Sequence, residues 1–205
     1  YTMMKEVYDI NKSLTPEQKL IATYWDDNPF VFEHAGHLTY GNKKITPGGH
    51  WMGIAAQIVK QEKADPVKAA QTFALTAIAL YDGFISCWDE KYRSNYVRPV
   101  TVIKDLIDKN WMPFLQTPPF PEYPSGHSVI SGSASTILMK MIPQPYSYVD
   151  STVRYIGMPA RRFQSFKKAA DETSISRFYG GIHFKEALDN GLDQGRKIGA
   201  YILDH

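Results

Sequence analysis

Three short stretches concentrate the residue types that could do chemistry. In CWDEKYRSNYVRPV (87–100), Lys91 and Arg98 lie seven positions apart, two helical turns, so on a continuous helix both would point the same way. Two cations on one face attract an anion. Alone, the pair also reads as a solvated helix end with Arg93 as one more surface charge. Trp88, Tyr92 and Tyr96 argue for an interior location, where an unpaired cation needs an anionic partner. In PEYPSGHS (121–128) a proline-rich turn runs into an apolar helical pattern. A helix N-terminus there offers free amides and a partial positive charge. Ser125 adds a hydroxyl, Gly126 lets an oxyanion reach the backbone, and His127 titrates near neutrality. The plainer alternative is an N-cap serine beside a surface histidine. In ISRFYGGIHF (175–184), Arg177 and His183 fall on different faces of an unbroken helix, but Gly180 and Gly181 break it and can turn both side chains to one point. Read plainly, Arg177 caps a helix C-terminus and His183 is a core or first-turn residue.

Taken together, the three stretches supply three cations, a hydroxyl, a helix N-terminus and two imidazoles. That set is odd for packing. It suits an enzyme holding a multiply charged oxyanion, with one imidazole bonding covalently to its central atom and the other doing acid–base work.

The elements that must position these residues are read from punctuation and periodicity. The 205 residues, 43% hydrophobic, can bury one sizeable core. A net charge of +2 without a basic run gives no footprint for nucleic acid, and the lone Cys87 excludes an intrachain disulfide without fixing a compartment. The apolar stretch at 69–88 contains Asp82 and runs into DEKYR, which suits a buried helix better than a bilayer span. Thr15-Pro16, Asp65-Pro66 and Arg98-Pro99 each read as a cap followed by proline at the first helical position. The Pro66 helix, running to about Tyr92, would span roughly 40 Å at ~1.5 Å per residue and is apolar on nearly every face, which predicts the middle of a bundle. Residues 26–49 read as an ordered loop and 49–63 as an amphipathic helix. Further helices are expected at about 125–142, within SYVDSTVRYIG (147–157), at 165–178 and at about 183–203. With few alternating patterns, the expectation is an all-α helical bundle with the active site at one end and functional loops between helices. It forms a single domain in which about 1–50 is a lead-in helix and loop and 51–205 the catalytic bundle.

Lysine, six residues, arginine-proline (Lys91 to Arg98-Pro99), then PSGH (124–127), then serine-arginine, five residues and histidine (Ser176-Arg177 to His183) form a three-part signature. By it, the chain resembles the superfamily of type-2 phosphatidic acid phosphatases and vanadium-dependent haloperoxidases. TPGGHW, CWDEKYRSNYVRPVTVI, TPPFPEYPSGHS and SRFYGGIHF extend the likeness to its soluble bacterial haloperoxidase branch, from about residue 15 onward. The resemblance implies that Lys91, Arg98, Ser125, Gly126 and Arg177 hold the oxygens of vanadate or phosphate. It makes His183 the vanadium ligand, or the nucleophile of a phosphatase, and His127 the acid–base residue. Phe120 falls where the family places a halide-pocket side chain. Many relatives carry an aspartate four residues after the last histidine. Here that position is Ala187, which leaves Glu186, Asp189 or a backbone carbonyl to orient His183.

The resemblance thus implies a vanadate cofactor, hydrogen peroxide and iodide or bromide as substrates, and hypohalous acid as product. The alternatives are a soluble acid phosphatase that hydrolyses a phosphate monoester through a phosphohistidine, and a non-catalytic phosphate-binding module, which would need neither histidine. It also implies a periplasmic or secreted location and the C-terminal portion of a longer chain. No membrane span is expected, and the oligomeric state is not legible.

Overall fold

A computed structural model describes residues 1–28, 31–42 and 45–205. Among them are eight α-helices: α1 (Thr2–Lys12), α2 (Pro16–Tyr24), α3 (Pro47–Gln61), α4 (Pro66–Ser94), α5 (Pro99–Leu106), α6 (Gly126–Met141), α7 (Phe166–Tyr179) and α8 (Lys185–Asp204). Two antiparallel hairpins accompany them, β1 (Val31–Ala35) with β2 (Leu38–Asn42) and β3 (Tyr148–Asp150) with β4 (Arg161–Phe163). The helices start where local chemistry says they should. Thr15 makes a capping box with Gln18, Asp65 accepts from the amides of Val67 and Lys68, and Pro16, Pro66 and Pro99 occupy first positions. No described helix is long and apolar enough to cross a membrane.

Three features differ from the sequence expectation. Residues 31–42 pair as a hairpin, where a loop was expected. Residues 147–157 form β3 and a 3₁₀ turn, because Tyr148–Asp150 finds a partner strand in Arg161–Phe163. The middle of the bundle is α6, not α4. Eleven of the sixteen α6 residues are buried, whereas α4 leaves Ile78, Tyr81, Ile85 and Tyr92 exposed along one face.

A serine-rich helix can be central because its hydroxyls are satisfied in place. Ser133 donates to the Ala79 and Ile130 carbonyls, the Ser128 and Ser174 hydroxyls pair at 2.7 Å, and Ser131 accepts from Trp51 Nε1 at 2.8 Å. Around it packs a core that includes Trp25, Trp51, Ile54, Ile130, Leu138 and Phe166. The approach of α8 to α6 requires glycine: a β-carbon at Gly195 would collide with the Val129 carbonyl, and one at Gly191 would lie 3.0 Å from the Ser125 carbonyl oxygen. This contact sets the start of α6, where the Ser125 amide donates to the Ala187 carbonyl at 3.0 Å.

Candidate active site

The helix ends bring the three stretches together. Ser125 caps α6, its hydroxyl oxygen accepting from the Ser128 amide at 3.4 Å, which leaves its O–H as a donor. Gly126 opens the helix where a β-carbon would press on the Trp88 ring at 3.1 Å. The α7 helix delivers Arg177 in its last turn and ends at Gly180. Gly181, at φ 76°, then turns the chain back so that His183 returns to the same place. Gly126, His127, Arg177, His183 and Phe120 all line one cavity of about 480 Å³, together with Trp88, Phe84, Asp26 and Asp27. Lys91, Arg98 and Ser125 stand behind its wall, all buried.

The backbone path around Lys91 and Arg98 departs from the expected continuous helix. The α4 helix stops at Ser94, Asn95 takes a left-handed conformation, and Arg98 is the N-cap of α5. Tyr92 and Tyr96 lie exposed, although Lys91 itself is fully buried. Its Nζ donates to the carbonyls of Pro121, Glu122 and Pro124 at 2.8, 3.0 and 2.6 Å, so its three protons clamp the loop that leads into Ser125. Burial pulls its pKa down to about 8. Arg98 donates Nε to Phe120 O (2.9 Å) and Nη1 to Ile182 O (2.8 Å), while Nη1 also lies 3.0 Å from His183 Nε2. Phe120 packs on Trp88 with ring centroids 5.0 Å apart and lies beneath the Arg98 guanidinium at 5.1 Å.

His183 is oriented by a residue that the sequence reading did not select. Its Nδ1 lies 2.8 Å from Glu122 Oε1, and the Phe184 amide donates to the same oxygen at 3.0 Å. Glu186 and Asp189, expected to do this, are both exposed on the first turns of α8. The correction has a simple cause. The loop clamped by Lys91 presses Glu122, 1% exposed, into the interior directly against the imidazole. A carboxylate held among prolines and aromatics in TPPFPEYP was the available signal. Burial lifts Glu122 to a pKa of about 7. The pairing makes Nδ1–H the donor and leaves the Nε2 lone pair facing Arg98. Burial, then the positive charges of Arg98, Lys91 and Arg177, hold His183 well below the ordinary imidazole range.

His127 is half-buried, and burial of its ring within the cavity wall, with Arg177 next in effect, keeps it neutral as well. It hydrogen-bonds the Asp26 backbone, and its Nε2 has no partner. Arg177 donates Nη1 to Trp25 O at 2.8 Å, with Asp26 Oδ1 4.0 Å from Nη2. Arg177 Nε and Arg98 Nη2 are likewise buried without a partner. Three polar nitrogens thus go unsatisfied around a single cavity, two of them obligate donors. Buried polar atoms without a partner are rare in folded proteins, and one bound anion would answer all three. Among the described residues no cluster of three or more His, Cys, Asp or Glu could hold a bare metal ion. The two arginine donors fit an oxyanion, and His183, its Nε2 beside Arg98, lines the same cavity.

A family model described as the VCPO second helical-bundle domain matches residues 71–205. The chain belongs to the vanadium haloperoxidase family. A bacterial vanadium-dependent iodoperoxidase is similar over 100% of this chain and 48% of its own, with 47% identity and a TM-score of 0.92. A holo-type bacterial vanadium-dependent chloroperoxidase shares the fold at a TM-score of 0.75, 19% identity, 99% of this chain and 46% of its own. The vanadium chloroperoxidase of Curvularia inaequalis is 32% identical over an alignment of 169 positions, covering 57% of this chain and 27% of that protein. The chain thus spans about half the length of the haloperoxidase structures it matches, and less of the fungal enzyme.

Proposed function

We propose that this chain carries the vanadate site of a haloperoxidase that uses hydrogen peroxide to oxidise iodide or bromide to hypohalous acid. The observation that carries the reading is the set of three unsatisfied buried nitrogens, on Arg98, Arg177 and His127, at the cavity that His183 lines, with His183 Nε2 3.0 Å from Arg98 Nη1. The 47% identity with an iodoperoxidase supports it. Vanadate, when bound, supplies Lewis-acid activation of peroxide without changing oxidation state.

The rest of the chemistry belongs to the chain. Arg98 and Arg177 balance the charge of the oxyanion, with the Ser125 hydroxyl and the amides at the start of α6 as further donors. Lys91 adds charge and fixes the loop that presents Ser125. Glu122 holds His183 with Nδ1–H toward itself, so that Nε2 would be the nitrogen to hold vanadate. His127, neutral and open at Nε2, takes a proton from incoming peroxide and returns it to the departing oxygen. Phe120 and Trp88 form an apolar wall that strips water from a halide.

Phosphate has the same charge and shape, and in a phosphatase His183 would attack phosphorus while His127 protonates the leaving alkoxide. A paired assay separates the two: peroxide-dependent iodide and bromide oxidation with added vanadate, beside hydrolysis of p-nitrophenyl phosphate without it. Halide oxidation that needs vanadate and hydrolysis at background are expected. The reverse pattern would replace this reading with the phosphatase.

A further inference from the structure

A third histidine lies wholly buried behind the cavity wall. His50, in the first turn of α3, faces Asp27 through Nδ1 (3.0 and 3.1 Å to its two oxygens) and Asp150 Oδ2 through Nε2 (2.9 Å). Its ring stacks on Trp25 with centroids 4.5 Å apart. Asp150 is fixed in turn, its Oδ1 accepting from the Thr152 amide and hydroxyl at 2.9 and 2.6 Å. The three residues come from separate parts of the fold: the chain just after α2, the start of α3 and strand β3.

What they hold is the wall of the cavity. Asp27 lines it and sits at φ 41°, a left-handed backbone that persists in a non-glycine residue only when its surroundings fix it. The two residues before it aim the site: the Trp25 carbonyl accepts from Arg177, and the Asp26 backbone hydrogen-bonds His127. Asp27 is also an electrostatic liability. Next to Asp26, its carboxylate is the second that acts on Arg177, the cation that an incoming anion needs, and although burial raises Asp27's own pKa, His50 beside it favours the charged form. A protonated His50 offsets that charge. Burial opposes protonation, but the Asp27 and Asp150 carboxylates outweigh it and raise His50 to about 9.

We infer that Asp27, His50 and Asp150 form a positioning triad for the anion cage, which anchors the Trp25–Asp27 wall and neutralises Asp27 so that Arg177 keeps its pull on the bound oxyanion. His50 and Asp150 do not line the cavity and act through Asp27. The inference rests on the oxyanion reading of that cavity.

Asp150→Asn is the decisive variant. It keeps an oxygen for Thr152 and turns an N–H toward His50 Nε2, an arrangement that only the neutral ring can accept, with Nδ1–H still bonded to Asp27. Inorganic phosphate and orthovanadate binding, measured calorimetrically beside the melting temperature, should weaken on the order of 10- to 100-fold in a folded protein. Adding Asp27→Asn should restore affinity to within about 3-fold of wild type, a rescue that a merely structural role would not give. Unchanged affinity in folded Asp150→Asn, or no rescue by the second substitution, would overturn the triad. If Asp150→Asn does not fold, Asp27→Asn alone decides: it should bind phosphate at least as tightly as wild type, and weaker binding would overturn the inference. Wild-type protein that takes up neither anion would sink the oxyanion reading instead.

Discussion

His183 and His50 are both buried beside carboxylates, yet the fold holds them in opposite states of charge. His183 has one carboxylate partner, Glu122, which burial itself makes hard to ionise, and it looks across at Arg98 with Lys91 and Arg177 nearby. It stays neutral with a lone pair to give. His50 is clamped between two carboxylates with no cation in contact among the described residues, and it stays protonated. The lesson is that burial alone does not decide what an imidazole does. The balance of neighbouring charge holds one ring neutral, as a ligand must be, and the other charged, as a counter-ion must be.

Substitutions can break this contrast or sharpen it. The largest effect is expected from His183→Ala, which removes the imidazole proposed as the ligand of the anion's central atom. Vanadate-supported iodide oxidation should fall on the order of 10⁴-fold, measured as initial rate at saturating vanadate. His127→Ala should lower turnover by roughly 10²- to 10³-fold and leave phosphate affinity within about 3-fold, since its neutral Nε2 accepts from a hydroxyl of the anion and, unlike the two arginines, adds no positive charge to the cage. Equal losses of binding in both variants would merge the two roles. Glu122→Gln should cost roughly 10- to 100-fold in turnover by loosening the His183 tautomer, and a slow rate at unchanged protein stability would identify the cause.

The smallest effect concerns stability and tests the other half of the contrast. Because His50 is raised from 6.5 to about 9 in the folded protein, its contribution is fully present below pH 6.5 and is lost as pH rises through about 9. Asp150→Asn should flatten that decline by about 1 to 2 kcal/mol, seen in denaturant melts across this window. Lys91, lowered to about 8, contributes with the opposite sign from about pH 8 upward, so the comparison is made as variant against wild type.

Much of the fold was legible because it is written in local chemistry. Proline after a capping residue marked the starts of α2, α4 and α5 to the residue. Pro47 after Thr46 would have placed the start of α3 equally well. The candidate site was legible because Lys91, Arg98, PSGH, Arg177 and His183 are unusual chemistry at fixed spacing, and the cavity gathers them although three stand behind its lining. What was not legible depends on contacts distant in sequence. Strand β3 is three residues long and exists through its pairing with β4. The serines of α6 look exposed until Ala79, Trp51 and Ser174 are seen to meet them. Glu122 becomes the partner of His183 only after Lys91 has bent its loop inward.

The close seating of α8 on α6 carries one last consequence. Ser125 receives its place from Ala187 through a single amide-to-carbonyl link, and that link exists because no side chain grows from Gly195 further along the same pair of helices. A single methyl at that remote spot would act as a wedge, lifting one rod off the other and detuning the anion cradle without touching it. The precision of the reaction centre is therefore calibrated by an atom the chain leaves out.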